Sequence, residues 1–339
     1  MICMRQTVVL FRFVVALFAF VPFSLHAEGG DPAADRQDAQ AWLKKIQSAA
    51  SRLNYSGTFV YQQANQMRTS RITHLLEAHN EVEKLEILDG KPREYIRNND
   101  EVICYVPDTR TLLVEKRVAQ DMFPAILATS PAEVAEFYDV RKAESGRVAG
   151  QDCLSIVLEP KDKLRYGYKL WADKSTGLLL RAQTLNEQHE VVEQISFTQV
   201  AIGNVDRARA KPSYQNTNGW HVENAVTSQV NLSGWSVKSL PPGFKKIREV
   251  KRLVSDALAQ GSSQPTQREV AQMVFSDGLA AISVFIEPGT QSRTEGSLQQ
   301  GAMNIIGKRY GDFWLTIVGE VPAAAIRQVA NSIDYKPSK

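Results

Sequence analysis

Val274-Phe275-Ser276-Asp277-Gly278-Leu279-Ala280-Ala281-Ile282-Ser283-Val284-Phe285-Ile286-Glu287 is an apolar run, a short polar break and a second apolar run. That pattern predicts a β-hairpin. Gly278 suits its tight connection, where a positive φ costs glycine little. Ser276 and Asp277 read as turn formers, since no Gly-x-Ser-x-Gly elbow surrounds them to make a nucleophile. Working outward, Trp235–Ser239, Phe244–Leu253, Arg268–Phe275, Leu279–Glu287, Ala302–Lys308 and Trp314–Gly319 read as strands. From Pro322 to Ile333 the apolar residues Ala325, Ile326, Val329, Ala330 and Ile333 fall on one side of a closing helix. The expectation is a small antiparallel sheet with a C-terminal helix.

Upstream, residues 206–218 lose the apolar pattern and read as a linker. Before it, Trp42, Leu43, Ile46, Ala49 and Leu53 recur at helical spacing, preceded by a loose polar stretch, Glu28–Asp38. A meander of strands from Tyr55 to Lys116 follows, with Asp89-Gly90-Lys91-Pro92, Asn98-Asn99-Asp100 and Pro107-Asp108-Thr109 as turns. Ser130-Pro131-Ala132-Glu133 is a capping box that starts a helix. Strands resume over Cys153–Glu159, Tyr166–Ala172, Leu178–Leu185 and Val191–Val200. The fold class expected is α+β in two domains, a large antiparallel sheet with helices and then the smaller sheet.

Arg5 and Arg12, the apolar run Phe13–Phe23 and the small residue Ala27 make a secretory signal peptide. The run is about half of the ~20 residues a spanning helix needs, though an uncleaved anchor is the alternative. The domains expected are thus 1–27 signal peptide, 28–205 first domain, 206–218 linker and 219–339 second domain. The charge balance is 40 Lys and Arg against 37 Asp and Glu. Arg5 and Arg12 leave with the signal peptide, so the exported chain is nearly neutral, which argues against nucleic acid as a partner.

Cys104 and Cys153 are the cysteines that remain after cleavage, and in an oxidising compartment they are either bridged or two separately buried thiols. No Cys-x-x-Cys occurs, and His74, His79, His189 and His221 lie in unrelated segments, so neither a metal nor a cofactor is expected. A lone histidine such as His221 is far more often structural than catalytic, and no catalysis is expected.

Together with Leu240-Pro241-Pro242-Gly243-Phe244 and Thr316-Ile317-Val318-Gly319-Glu320-Val321-Pro322, the hairpin resembles the C-terminal domain of the MucB/RseB family. Arg52-Leu53-Asn54-Tyr55-Ser56-Gly57-Thr58-Phe59-Val60-Tyr61 is similar to the family's opening, as are Arg165-Tyr166-Gly167-Tyr168-Lys169-Leu170-Trp171 and Gly177-Leu178-Leu179-Leu180. The resemblance implies a periplasmic negative regulator of an envelope-stress sigma factor of the sigma-E/AlgU type. Its large domain would be a highly curved LolA/LppX-like sheet. It would bind the periplasmic region of a single-span anti-sigma factor, protect it from site-1 proteolysis and release it on binding lipid or lipopolysaccharide. A lipid or lipoprotein carrier is the alternative, for which the second domain would be surplus. A homo-oligomer is left open.

Within that frame, Trp42, Phe59, Tyr61, Leu85, Ile87, Leu112, Val114, Tyr168 and Trp171 are candidates for a concave lipid-binding lining, against the plainer reading of a filled core. Lys245, Lys246, Arg248, Lys251 and Arg252 put five cations in eight residues. On a strand, Lys246, Arg248 and Arg252 share one face and Lys245 and Lys251 the other. They are candidates for an acidic peptide or lipid phosphates, against a guarded edge strand. A linker of about a dozen residues makes domain motion the default expectation, with ligand entry weakening partner binding.

Overall fold

The computed structural model describes residues 32–77, 80–116, 130–224, 227–229, 232, 234–255, 267–289 and 293–336. The signal peptide expected over 1–27 lies outside the described residues. Helix α1 (Pro32–Arg52) opens the chain. Most of the stretch expected to be loose is therefore helical. Ala39, Leu43, Ile46 and Ala49 are buried along one stripe of α1, the 3.6-residue period visible in the sequence.

Eleven strands follow in the first domain: β1 (Tyr55–Gln63), β2 (Gln66–Glu77), β3 (Asn80–Ile87), β4 (Arg93–Asn98), β5 (Glu101–Val106), β6 (Thr111–Lys116), then helix α2 (Pro131–Phe137), β7 (Tyr138–Val148), β8 (Gln151–Pro160), β9 (Gly167–Asp173), β10 (Leu179–Leu185) and β11 (Val191–Ile202). The Ser130 hydroxyl accepts from Glu133 N at 3.3 Å and the Glu133 carboxylate accepts from Ser130 N at 3.3 Å, so the capping box forms. Strand β7 was not visible in the sequence. Tyr138 and Val140 point inward, but its remaining residues are too polar to show a period of two.

A twelfth strand, β12 (His221–Asn224), joins this sheet in parallel with β6, in the order β12-β6-β5-β4-β3-β2-β1-β11-β10-β9-β8-β7. Residues expected at the start of the second module therefore extend the first sheet. The segment before β12 is strapped to that sheet. Lys84 Nζ donates to Lys211 O at 2.9 Å and to the Ser213 hydroxyl at 2.8 Å, and Glu94 accepts from Ser213 N at 3.0 Å. Tyr105, Tyr214 and Trp220 form an aromatic cluster with centroids 5.6–6.4 Å apart. A polar composition marked this stretch as a linker, but its hydrogen bonds and two aromatics dock it.

The second domain comprises β13 (Thr227–Gln229), β14 (Trp235–Val237), β15 (Lys245–Ser255), β16 (Gln267–Ser276), β17 (Ala281–Pro288), β18 (Gly296–Gln300), β19 (Met303–Tyr310), β20 (Phe313–Gly319), α3 (Ala323–Asn331) and β21 (Ile333–Tyr335). Its seven-stranded sheet runs β13-β15-β16-β17-β20-β19-β18, and β14 pairs with β21. Strands β16 and β17 are the expected hairpin, with Phe275 opposite Ile282 and Met273 opposite Val284. Ser276 Oγ accepts from Gly278 N at 2.9 Å, Asp277 accepts from Leu279 N and Ala280 N at 3.0 and 2.9 Å, and Gly278 takes φ +95°. The core beneath packs Met273, Ile282, Val284, Leu315 and Ile317 against Ala325, Ile326 and Val329 of α3. The architecture is the α+β pair of sheets expected, and among the described residues no helix is long and apolar enough to cross a membrane.

Cys104 on β5 and Cys153 on β8 are two separate buried thiols. Seven strands lie between β5 and β8 in the sheet order, so the bridge held open by the sequence does not form. Burial raises both thiol pKa values, most simply because a thiolate is poorly solvated there.

Candidate functional site at the seam between the domains

Arg165 lies in the turn between β8 and β9, and its side chain has no exposed surface. A buried guanidinium needs partners for its five donors. Nε donates to Asp162 Oδ2 at 3.1 Å within the turn. Nη1 crosses to the second domain and donates to Asp277 Oδ2 at 2.8 Å, and Nη2 donates to Pro242 O at 2.5 Å. The rings of Phe137, Tyr138 and Phe244 lie 4.8, 5.5 and 5.8 Å from the guanidinium carbon. Asp277 thus caps the hairpin turn through one oxygen and holds Arg165 through the other. Gly243, at φ +80°, lies so close that a Cβ there would meet Phe137 at 2.4 Å. Leu164 packs on the second core and Leu279 on the first, so each domain inserts a leucine into its neighbour.

The far end of the seam is acidic. Glu193 on β11 accepts from Tyr61 and from Gln63 Nε2, the latter at 3.3 Å, and faces Glu320 at the end of β20. Burial first, and the Glu320 charge second, push Glu193 up to about 7. Desolvation raises Glu320 as well, although the residue as a whole is exposed. Desolvation, then the two carboxylates, raise Tyr61 far above an ordinary phenol. Gln63 packs on Gly301, and Asn304 Nδ2 donates to the Tyr166 hydroxyl at 3.1 Å. A pocket of about 590 Å³ opens here beside Gln62, Gln183, Gln194 and Gln299, and one of about 240 Å³ lies near Phe137, Gly243 and Ile247.

Strand pairing divides the nine lining candidates. Phe59, Tyr61, Leu85, Ile87 and Tyr168 fall on the inner face; α1 packs on the Tyr168 end of it, and Phe59 and Leu85 join a separate cluster with Tyr55, Ile72 and Phe197. Cross-strand partners share a face, and the pairing from β1 to β6 has no register shift, so Leu112 and Val114 fall on the outer face with Tyr105. Trp171, three residues after Tyr168, has Lys169 and Arg181 near its ring and packs, partly buried, against the cluster that contains Phe59 and Phe197. Trp42 is a partly covered residue of α1 with the Lys45 ammonium 4.5 Å from its ring centroid. Phe59 is buried and edge-packed on Phe197 at 5.8 Å.

The basic strand is laced with carboxylates. Lys245 pairs with Glu133 at 3.3 Å, Lys246 with Glu249 at 2.5 Å, Arg248 with Glu115 at 3.5 Å and Lys251 with Glu269 at 2.6 Å. The Arg252 side chain lies outside the described residues. Two of these pairs, Lys245–Glu133 and Arg248–Glu115, cross the seam. Sequence reasoning did not select Arg165, Asp162, Glu193 or Glu320, and it read Asp277 as turn chemistry alone. Arg165, Asp277, Glu320 and Pro242–Phe244 all lie inside the quoted motif segments, and that clustering was the available signal. Among the described residues no group of three or more His, Cys, Asp or Glu could hold a metal ion. What the seam offers chemically is binding, proton exchange and domain attachment.

The model for the MucB/RseB N-terminal domain matches residues 38–216, and that for the MucB/RseB C-terminal domain matches 229–334. The chain belongs to the MucB/RseB family. The sigma factor AlgU regulatory protein MucB of Pseudomonas aeruginosa is 31% identical over 311 residues, covering 89% of this chain and 92% of that protein. The sigma-E factor regulatory protein RseB of Haemophilus influenzae is 25% identical over 306 residues, covering 89% and 93%. A crystal structure of MucB in complex with MucA(peri) is 28% identical, with TM-score 0.67 over 89% of this chain and all of that one. A Pseudomonas aeruginosa MucA/MucB complex gives TM-score 0.69 at the same identity and coverage. Both domain models match this chain, one after the other.

Proposed function

We propose that this chain is a periplasmic regulator of a sigma-E/AlgU-type sigma factor, acting by binding the periplasmic region of a transmembrane anti-sigma factor. It shields that region from site-1 proteolysis and releases it when it binds lipid or lipopolysaccharide. The observation that carries this reading is the likeness along both domains to MucB solved with MucA(peri). The signal peptide read at 1–27 supports export to the same compartment. On this reading an acyl chain would meet the inner face near Leu85 and Ile87, where Tyr95 and Leu113 of the same face are 37% and 38% exposed. Partner release would have to loosen a seam made of buried contacts. A carrier function would leave the seven-stranded second sheet and that seam without a role.

The test mixes the chain lacking its first 27 residues with the periplasmic segment of the candidate anti-sigma factor and the site-1 protease. Protection of the segment, lost when lipopolysaccharide is added, is the expected result. Unchanged cleavage in the presence of excess protein would sink the regulatory reading. Native mass spectrometry of the same mixtures reports binding, competition and subunit count.

A further inference from the structure

We propose that the outer face of the first sheet carries a ligand site of its own, a pocket that takes a phosphate-type oxyanion between Arg71 of β2 and Arg209 of the strapped segment before β12. The pocket has a volume of about 550 Å³, within the range of about 300–1,000 Å³ typical of small-molecule sites, and Thr58, Arg71, Lys84, Glu86, Gln199 and Arg209 line it. Strand pairing puts Gln199, Thr58, Arg71 and Glu86 in one rung across β11, β1, β2 and β3, with Lys84 two residues from Glu86 on the same face. That face is the one opposite Phe59 and Leu85. The remaining wall is the 3₁₀ turn over Arg207–Ala210. Asp206 caps it, accepting from Ala208 N at 2.9 Å, and Ala210 is buried.

The charged groups are unequally engaged, and that selects the ligand. Lys84 is fully engaged: its side chain is 5% exposed, and its ammonium meets Glu94 at 3.1 Å, Glu86 at 3.4 Å, Lys211 O at 2.9 Å and the Ser213 hydroxyl at 2.8 Å. It supplies positive charge but no spare donor. Arg71 reaches only Glu86, at 3.7 Å, which is too long for a hydrogen bond. Arg209 has no ion-pair partner among the described residues. Three cations therefore share two carboxylates, Glu86 and Glu94, and the excess charge sits on Arg209. The unused guanidinium donors match the paired acceptor oxygens of a phosphate. The lining is mostly polar, and no aromatic ring contributes to it among the described residues, so a nucleobase or an acyl chain finds no face to rest on. Because Arg71 belongs to the sheet and Arg209 to the strap, an anion held by both fastens the strap to the sheet.

The test titrates inorganic phosphate and pyrophosphate calorimetrically into the chain lacking its first 27 residues, at constant ionic strength. Trypsin, which can cut the strap after Arg207 and Arg209, reports on the strap in the same buffers. Saturable binding and slower cleavage at those two bonds are expected with either anion and not with chloride. Arg71→Gln keeps both cleavage sites, and should weaken binding about tenfold or more and abolish the protection. Arg209→Gln should weaken binding to a similar degree. Glu86→Gln should tighten it severalfold, a gain that a damaged fold would not produce. Vesicles of phosphatidylcholine with and without phosphatidic acid distinguish the sources. Co-sedimentation that requires both phosphatidic acid and Arg71 assigns the oxyanion to a lipid headgroup, and binding confined to the soluble anions assigns it to free phosphate. No saturable binding of either anion or of the vesicles overturns the proposal, as does binding that Arg71→Gln and Arg209→Gln leave unchanged. Neither readout uses an anti-sigma segment, so the outcome is independent of the regulatory reading.

Discussion

Replacing Arg165 by Ala should separate the two domains energetically. The substitution removes three polar contacts at once, to Asp162, Asp277 and Pro242 O, together with the packing of the guanidinium among three rings. The Asp277 side chain is 1% exposed, so its carboxylate is left buried, with only the Leu279 and Ala280 amides to hold it. Breaking one side of a buried ion pair costs about 3–5 kcal/mol, because the surviving charge loses its counter-ion without regaining water. Asp277→Asn should cost about 1–3 kcal/mol, because one carboxylate oxygen becomes an NH2 that faces either Arg165 or the Leu279 and Ala280 amides, donor against donor, while Asp162 still neutralises Arg165. Urea unfolding followed by tryptophan fluorescence and far-ultraviolet dichroism measures both. The parent should unfold with coincident transitions. Arg165→Ala should lower the midpoint by about 1 M or more, and the two probes should no longer coincide as the domains unfold separately. A midpoint within about 0.2 M of the parent, with probes still coincident, would refute the view that Arg165 couples the domains. A double-mutant cycle with Asp277→Asn should give a coupling of about 1–3 kcal/mol.

Three further outcomes are expected. Gly243→Ala forces a side chain into φ +80° and against Phe137, and should destabilise by about 2–4 kcal/mol in thermal unfolding. Phe59→Ala removes a 6%-exposed ring packed on Phe197 and should cost about 3–5 kcal/mol; a loss under about 1 kcal/mol would place Phe59 in an open lining instead of a core. Thiol titration should find Cys104 and Cys153 unreactive when folded and both reactive once unfolded without reductant, whereas silent thiols after unfolding would indicate a bridge.

Elements with strong local signals were legible in the sequence. The Val274–Glu287 hairpin declares itself by two apolar runs around Gly278, and α2 by its capping box, because the chemistry of each lies within a few residues. Strands β7 and β18 were not legible. Every residue of β18 is exposed and most of β7 is polar, so neither shows the alternation that burial on one face imprints. The lining candidates divide for a related reason. Composition groups Leu112 and Val114 with Phe59 and Tyr168, but side-chain direction depends on register, which no single strand encodes. The polar composition of 206–218 reads as a linker, whereas Lys211 O, Ser213 and Tyr214 within it, and Trp220 just after it, find partners on the sheet.

By itself the sequence determined the turn chemistry of Ser276-Asp277-Gly278, the amphipathic helices, the two-sheet α+β class and the resemblance to a family of regulators. Only the tertiary structure decided what Asp277 holds, because Arg165 lies 112 residues away along the chain. The same is true of Glu193, whose carboxyl is pushed up to about 7 first by burial among segments distant in the chain. Local chemistry is written in neighbouring residues. Burial, counter-ions and pKa are set by whichever distant segments the fold brings alongside.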